Sequence, residues 1–231
     1  FMKNPKLVSI LTPTYNRRRF IPQYLHNIKH QDYKGNIEVI ILDDGIDNIS
    51  DLIPNDERFK YIKINSKQPI GYKRNFLCHE ARGDILIHMD DDDYYPPQRI
   101  SHAVETLTNA RDEALIAGSS LIYFYDKNLG IRQFGKINLE RGYHAHAGTF
   151  AFFKEYLETN QFDDQALKGE ELIFTHHFTN PLSQLNPLKT VLVTSHNNNT
   201  VPKTKLMGIE TPYTIEQFIK DSRACHFYKT L

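Results

Sequence analysis

Cysteine is scarce in this chain: 231 residues hold two, Cys78 and Cys225. That is too few for a disulfide scaffold, and their spacing matches no zinc knuckle, so both read as plain thiols of an intracellular protein. An excess of charge of one sign is also missing. Lys plus Arg and Asp plus Glu both number 28, which removes any overall attraction to nucleic acid or an anionic membrane. No stretch approaches the roughly 18 apolar residues of a membrane span, and no basic-then-apolar leader opens the chain. The expectation is a soluble, cytoplasmic protein without internal repeats. What is present, 40% hydrophobic and 24% charged residues, fits one globular domain with a real core.

An apolar run rich in β-branched residues, Leu7 to Leu11, ends at Pro13 and reads as a buried strand entering a loop. Phe20, Ile21, Tyr24, Leu25 and Ile28 then share one helical face, with Pro22 in the first turn. A second strand over 37–42 stops at Asp43, Asp44 and Gly45, and a third is expected over 60–65. Tyr72, Phe76, Leu77 and Ala81 predict a short amphipathic helix closed by Gly83, and 84–89 a fourth strand. Pro96 and Pro97 suit a helix start whose stripe is Ile100, Ala103, Val104 and Leu107. Such alternation predicts a mostly parallel sheet covered on both faces. Beyond residue 110, 119–135 reads as a hairpin turning near Asn128 and Gly130. A loop with Gly142 and Gly148 follows, then helical pieces near 151–158 and 170–178, a strand over 190–195 and a polar loop at Asn197 to Asn199.

In open α/β sheets, ligands bind beyond the carboxyl ends of the strands. Three distinctive stretches stand there: TPTYN after the first strand, DDG after the second and MDDDDYY after the fourth. The last holds four consecutive carboxylates, Asp90 to Asp93. Like charges ~4 Å apart repel by about 4 kcal/mol at the effective dielectric of a protein surface, so something must offset them. In an extended segment Asp90 and Asp92 face one way and Asp91 and Asp93 the other. One pair can then face a hard divalent cation, Mn²⁺ or Mg²⁺, while the other contacts structure. A solvated acidic turn capping the next helix is the other reading of the same residues.

In this order and spacing, VSILTPTYNRRRF, IEVIILDDG, GYKRN and GDILIHMDDDDYYPP resemble the nucleotide-sugar-binding half of a GT-A fold glycosyltransferase of the inverting family 2 type. Small stand-alone viral or bacterial members are similar. The likeness spans roughly residues 6–110. It implies an α/β, Rossmann-like fold: a mostly parallel central sheet with helices on both faces and a smaller mixed acceptor-side region. Residues 1–231 would form one catalytic domain, with the nucleotide sugar in 6–110 and the acceptor in 111–231. The resemblance places Pro13 and Tyr15 against the uracil of a UDP-sugar, Asp44 on the uracil N3 hydrogen with Asp43 beside it, and Lys73, Arg74 and Asn75 near the diphosphate. Asp90 and Asp92 match the outer positions of the family's Asp-x-Asp motif. Asp92 would hold the metal, Asp90 would reach the ribose or a metal-bound water, and Asp91 fills the variable position. Glu171 in KGEELIF is the implied base, with Glu170 as its alternate, where the family usually has Asp. His196 is an implied metal ligand, and His144, His146 and Gly148 form an implied acceptor-side loop.

The implied cofactor is Mn²⁺ or Mg²⁺, the donor UDP-glucose or UDP-galactose, and the acceptor a glycan or protein-linked hydroxyl, such as a hydroxylysine-linked sugar of a collagen-like protein. A viral source would place the chain in the host cytoplasm or the virion. Two other functions fit less. A nucleotidyltransferase would want a glycine-rich loop after the first strand, where TPTYNRRRF has no glycine. A non-catalytic carbohydrate- or cation-binding module is favoured by Glu in place of the usual Asp.

Overall fold

A computed structural model describes residues 5–110, 113–136, 144–199 and 208–231. Its first half follows the expected alternation: β1 (Val8–Thr14), α1 (Ile21–Lys29), β2 (Ile37–Asp43), β3 (Phe59–Lys63), α2 (Ile70–Glu80), β4 (Ile85–His88) and α3 (Arg99–Thr108). β1 lies parallel between β2 and β4, and β3 adds in parallel outside β2. The two-residue period of a strand then sorts the apolar side chains. Val8, Ile10, Val39, Ile41, Ile85 and Ile87 pack with Ile21, Tyr24 and Ile28 of α1 and Ile100 and Ala103 of α3. Leu11, Ile40, Leu42 and Leu86 pack with Leu77 and Cys78 of α2. Strands buried on both faces read as continuous apolar runs, which is why they were visible in sequence.

β1 runs through Pro13 rather than stopping before it. The Leu11 carbonyl accepts from Met89 N, so Leu11, and Pro13 two residues on, face the β4 edge. β4 pairs with β1 only as far as Leu11, so the ladder loses nothing where proline lacks an amide hydrogen.

The second half supplies β5 (Ile116–Gly118), β6 (Leu121–Asp126), β7 (Gly130–Gly135), β8 (Ala151–Phe153), α4 (Glu171–Phe174), β9 (Leu182–Gln184), β10 (Leu192–Thr194), β11 (Ile209–Glu210), α5 (Ile215–Phe218) and α6 (Ser222–Lys229). The main sheet has the order β3-β2-β1-β4-β8-β5-β9, and the second β10-β6-β7-β11. The hairpin expected over 119–135 is β6 and β7. The helix expected near 151–158 is a strand at its start: β8 lies antiparallel between β4 and β5, and only Lys154–Glu158 coils into a 3₁₀ turn. A short buried apolar run has no periodicity to separate strand from helix. Tyr123, Tyr125 and Leu192 of the second sheet pack against Ile215, Cys225 and Tyr228. Gly142 lies outside the described residues. Among the described residues, no helix is long and apolar enough to cross a membrane.

Candidate active site

The carboxyl ends of β1, β2 and β4 meet as expected, but the acidic segment is a turn rather than an extended strand. The alternation of faces survives in another form: Asp91 and Asp93 are buried, Asp90 and Asp92 half-buried. Each carboxylate has its own partner. Asp91 accepts from the Thr14 hydroxyl at the end of β1 and lies 3.8 Å from Arg17 Nε. Asp92 lies 3.1 Å from Arg17 Nη2. Asp90 lies 3.0 Å from Arg74 Nη1. Asp93 accepts from the Thr194 amide at 2.8 Å. Two buried guanidinium groups therefore supply compensation for which a divalent cation was expected. The offset is incomplete at Asp91, where burial first and Asp92 second push the carboxyl well above its ordinary pKa.

The turn is held from beneath by residues that no sequence pattern singled out. The Asp90 amide donates to Tyr95 Oη at 2.5 Å. Buried Arg99 donates to the carbonyls of His88, Thr149 and Phe150 at 2.9–3.0 Å, joining β4 to the segment before β8. The Asp93 carbonyl accepts from Asn27 of α1 and from the Tyr228 hydroxyl of α6, at 3.1 and 2.7 Å. Tyr95 and Arg99 follow the turn closely in the chain, whereas Asn27 and Tyr228 come from distant segments and only folding puts them there.

At the β2 end, Asp43 is committed to structure: one oxygen accepts from the Gly45 amide at 2.8 Å and the other from Tyr61 Oη at 2.7 Å. Asp44 is buried and takes Lys73 Nζ at 2.9 Å and the Gln68 amide at 2.8 Å. Lys73 thus braces Asp44 in this arrangement, where a diphosphate contact was expected. Half-buried Tyr15 has Lys67 Nζ over its ring, 4.4 Å from the centroid, a cation that the sequence reading passed over. Asn75 departs from its expected donor-side place. Its amide group gives both its hydrogens to Phe162 O and Asp164 Oδ1 and takes the Phe162 amide, all at 2.7–2.9 Å, so it clamps a loop and has little left for a ligand.

Arg74 links the acidic turn to the second half. Its Nε is 3.8 Å from Glu170 Oε1, so one guanidinium serves both Asp90 and Glu170. Burial pushes the Glu170 carboxyl above its ordinary value, a rise that Arg74 only partly opposes. Arg74 Nε and Nη1 and Asp90 Oδ1 are buried without an in-line hydrogen bond. Glu171 follows as the first residue of α4 and is half-buried. Gly148 stands beside Asp90: a side-chain carbon there would lie 3.3 Å from Asp90 Oδ2. The rings of His144 and His146 lie on the same side of their segment, 5.2 Å apart, with His144 against Phe178.

His196 packs on Phe20, with Nε2 3.2 Å from Asp92 Oδ2. Its Nδ1 accepts from the Asn198 amide at 3.1 Å, and its Nε2 also lies 3.0 Å from Asn199 Nδ2. The ligating atoms of Asp90, Asp92 and His196 do not all come within 4.8 Å of one another. The half-buried carboxylates fit a hard divalent ion, which needs only one or two protein oxygens. His196 joins such a set only by giving up its contacts with Asn198 and Asn199.

The sheet order and the chemistry at its strand ends define a GT-A type glycosyltransferase fold, and solved structures agree. S. aureus TarS 1–349 in complex with UDP-GlcNAc matches with TM-score 0.65 at 17% identity, over 83% of this chain and 59% of that one. The mannosyltransferase PcManGT from Pyrobaculum calidifontis, in complex with GDP-Man and Mn²⁺, matches with TM-score 0.63 at 17% identity, over 85% and 59%. Residues 9–178 match the model of glycosyl transferase family 2, and the chain belongs to that family. In sequence it is 35% identical over 127 residues to the GalNAc(5)-diNAcBac-PP-undecaprenol beta-1,3-glucosyltransferase of Campylobacter jejuni. It is 26% identical over 115 residues to the poly(ribitol-phosphate) beta-N-acetylglucosaminyltransferase TarS of Staphylococcus aureus. These matches cover 51% and 47% of this chain, and 39% and 20% of the relatives' own length.

Proposed function

We propose that this chain transfers a hexose from a UDP-sugar to a hydroxyl of a glycan or polysaccharide, with inversion at the anomeric carbon. The observation that carries the reading is Arg74, which gathers Asp90 from the donor half and Glu170 from the acceptor half around one buried charge. Residues 6–110 would bind the nucleotide sugar and 111–231 the acceptor. Tyr15 offers an aromatic face to the uracil, and Asp44, held in place by Lys73, accepts its N3 hydrogen. Arg74, held by Asp90 and Glu170, sets a positive charge beneath the diphosphate position. Asp92 would hold Mn²⁺ or Mg²⁺ with Asp90 nearby, and a bound ion supplies Lewis-acid relief of the charge that builds on departing UDP.

Glu171 takes the proton from the acceptor hydroxyl as that oxygen attacks the anomeric carbon in line and the bond to UDP breaks. Glu170 faces Arg74 and serves to position the segment. The His144 to Gly148 loop, with Gly148 beside Asp90, borders the acceptor. The names of the relatives favour glycan acceptors, whereas a hydroxylysine-linked sugar on a collagen-like protein is the acceptor that the motif resemblance adds. A panel of both acceptors with UDP-sugars and GDP-mannose, read as UDP or GDP release, separates these outcomes. Transfer from a UDP-hexose to one glycan acceptor is expected. Release only from GDP-mannose would refute the uridine assignment.

A further inference from the structure

Away from the strand ends, α1 and the start of α6 bring three metal-ligating side chains together. His26 and His30 are four residues apart, one turn of helix, and their ring centroids lie 3.9 Å from each other. Asp221, the N-cap of α6, approaches from the neighbouring helix with Oδ1 3.3 Å from His26 Nε2. The ligating atoms of all three fall within 4.8 Å of one another.

An ordinary ion pair does not account for this cluster. Two rings, not one, bring a nitrogen within 4.8 Å of the Asp221 carboxylate. His26 Nε2 is also buried without an in-line hydrogen bond. The His26–Asp221 spacing is that of two ligands of one ion. A tetrahedral ion with bonds of about 2.0–2.1 Å keeps its ligand atoms about 3.3 Å apart. The supporting bonds have the same character. His30 Nδ1 donates to the His26 carbonyl at 2.8 Å, which leaves the other ring nitrogen its lone pair. Asp221 Oδ1 is fixed by the Ala224 amide at 2.7 Å.

We infer that His26, His30 and Asp221 bind one divalent transition-metal ion of the zinc class, with a remaining position open to water. Two imidazoles and one carboxylate suit Zn²⁺ or Co²⁺ better than Mg²⁺ or Ca²⁺, which prefer all-oxygen shells. Lys29 and Arg223 line the same cavity of about 600 Å³ as His26 and His30, so the two nitrogens, rather than excess negative charge, must supply the affinity. The site is separate from the acidic turn, since His196 packs at Phe20, before the opposite end of α1. Its effect is structural: the ion ties α1 to α6, and Asn27 and Tyr228 of those helices both hold the Asp93 carbonyl.

The test is a Co²⁺ titration of the full chain carrying Asp92→Asn, which removes the acidic-turn contribution, followed by visible absorption and by thermal melting. One equivalent should bind with a ligand-field band and raise the melting temperature. Adding His30→Ala, or Asp221→Asn, which keeps a capping side chain, should weaken binding by more than about tenfold and abolish the thermal rise. Absence of the band, or equal binding with His30→Ala, overturns the site. If Asp92→Asn fails to fold, the wild-type background gives the same reading: His30→Ala should remove one equivalent, and no difference overturns it.

Discussion

At Arg74, burial alone would lower the guanidinium pKa, but Asp90 and then Glu170 overcome it and raise it further. A charge so buried and so paired is a point where single substitutions separate roles. Glu171→Gln should keep donor binding while transfer falls on the order of 10²–10⁴-fold, the contribution of a positioned base. Single-turnover transfer beside calorimetric donor binding measures both. Glu170→Gln should instead leave thermal stability close to unchanged near neutral pH, because burial already disfavours the charged carboxylate and Arg74 keeps Asp90, and should cost transfer less. If Glu170→Gln alone abolishes transfer with stability intact, the two carboxylates have exchanged roles. The pair was legible as chemistry, since acids at a helix start stand out in sequence. The neighbour that distinguishes them was not, because Arg74 lies 96 positions from Glu170 and no periodicity links the two.

The same limit shaped α2. Its expected buried face was Tyr72, Phe76, Leu77 and Ala81, but the buried residues within it are Gly71, Lys73, Arg74, Leu77 and Cys78. Leu77 and Ala81 are buried as expected and Phe76 packs beside them, but a helix that also buries two cations against carboxylates shows only part of its buried side as an apolar stripe. The element is positioned by close contact as well as by Leu77 and Cys78 against the sheet. A side-chain carbon on Gly71 would fall 1.8 Å from the Asp163 carbonyl, and Asn75 fastens Phe162 and Asp164 one turn on. Gly71→Ala should therefore cost about 1–3 kcal/mol by overpacking, and Asn75→Ala a similar amount by leaving buried backbone groups unpaired. Urea midpoints report both, and unchanged midpoints would show that the loop at 162–164 adjusts freely.

For the whole molecule, pH acts through groups of opposite sign. His88 is fully buried among Phe150, Phe152 and Phe162, donates Nδ1–H to the Ala147 carbonyl at 2.8 Å, and is held well below its usual pKa by burial and then by Arg74. Its contribution to stability is full above the unfolded value of about 6.5 and is lost as pH falls toward the depressed folded one. Asp91 and Glu170, both raised, run the other way: their contribution is present below their unfolded values and lost as pH rises through the folded ones. His88→Phe should isolate the first effect. From pH 6.5 downward the wild type should lose up to about 1.4 kcal/mol per pH unit relative to the variant, read from paired urea curves. Parallel curves would contradict a neutral buried ring.

At this scale the parallel half of the sheet was readable because its strands are continuous apolar runs. Strands β5, β8 and β9 were missed because three-residue segments are too short to carry a period. The acidic turn is the proposed metal-assisted donor site. Calorimetric binding of UDP-sugar to wild type and Asp92→Asn, with Mn²⁺ and with a chelator, tests it most directly. Binding that needs Mn²⁺ in the wild type and is lost in Asp92→Asn is the predicted result. Equal binding in all four cases would contradict the metal assignment.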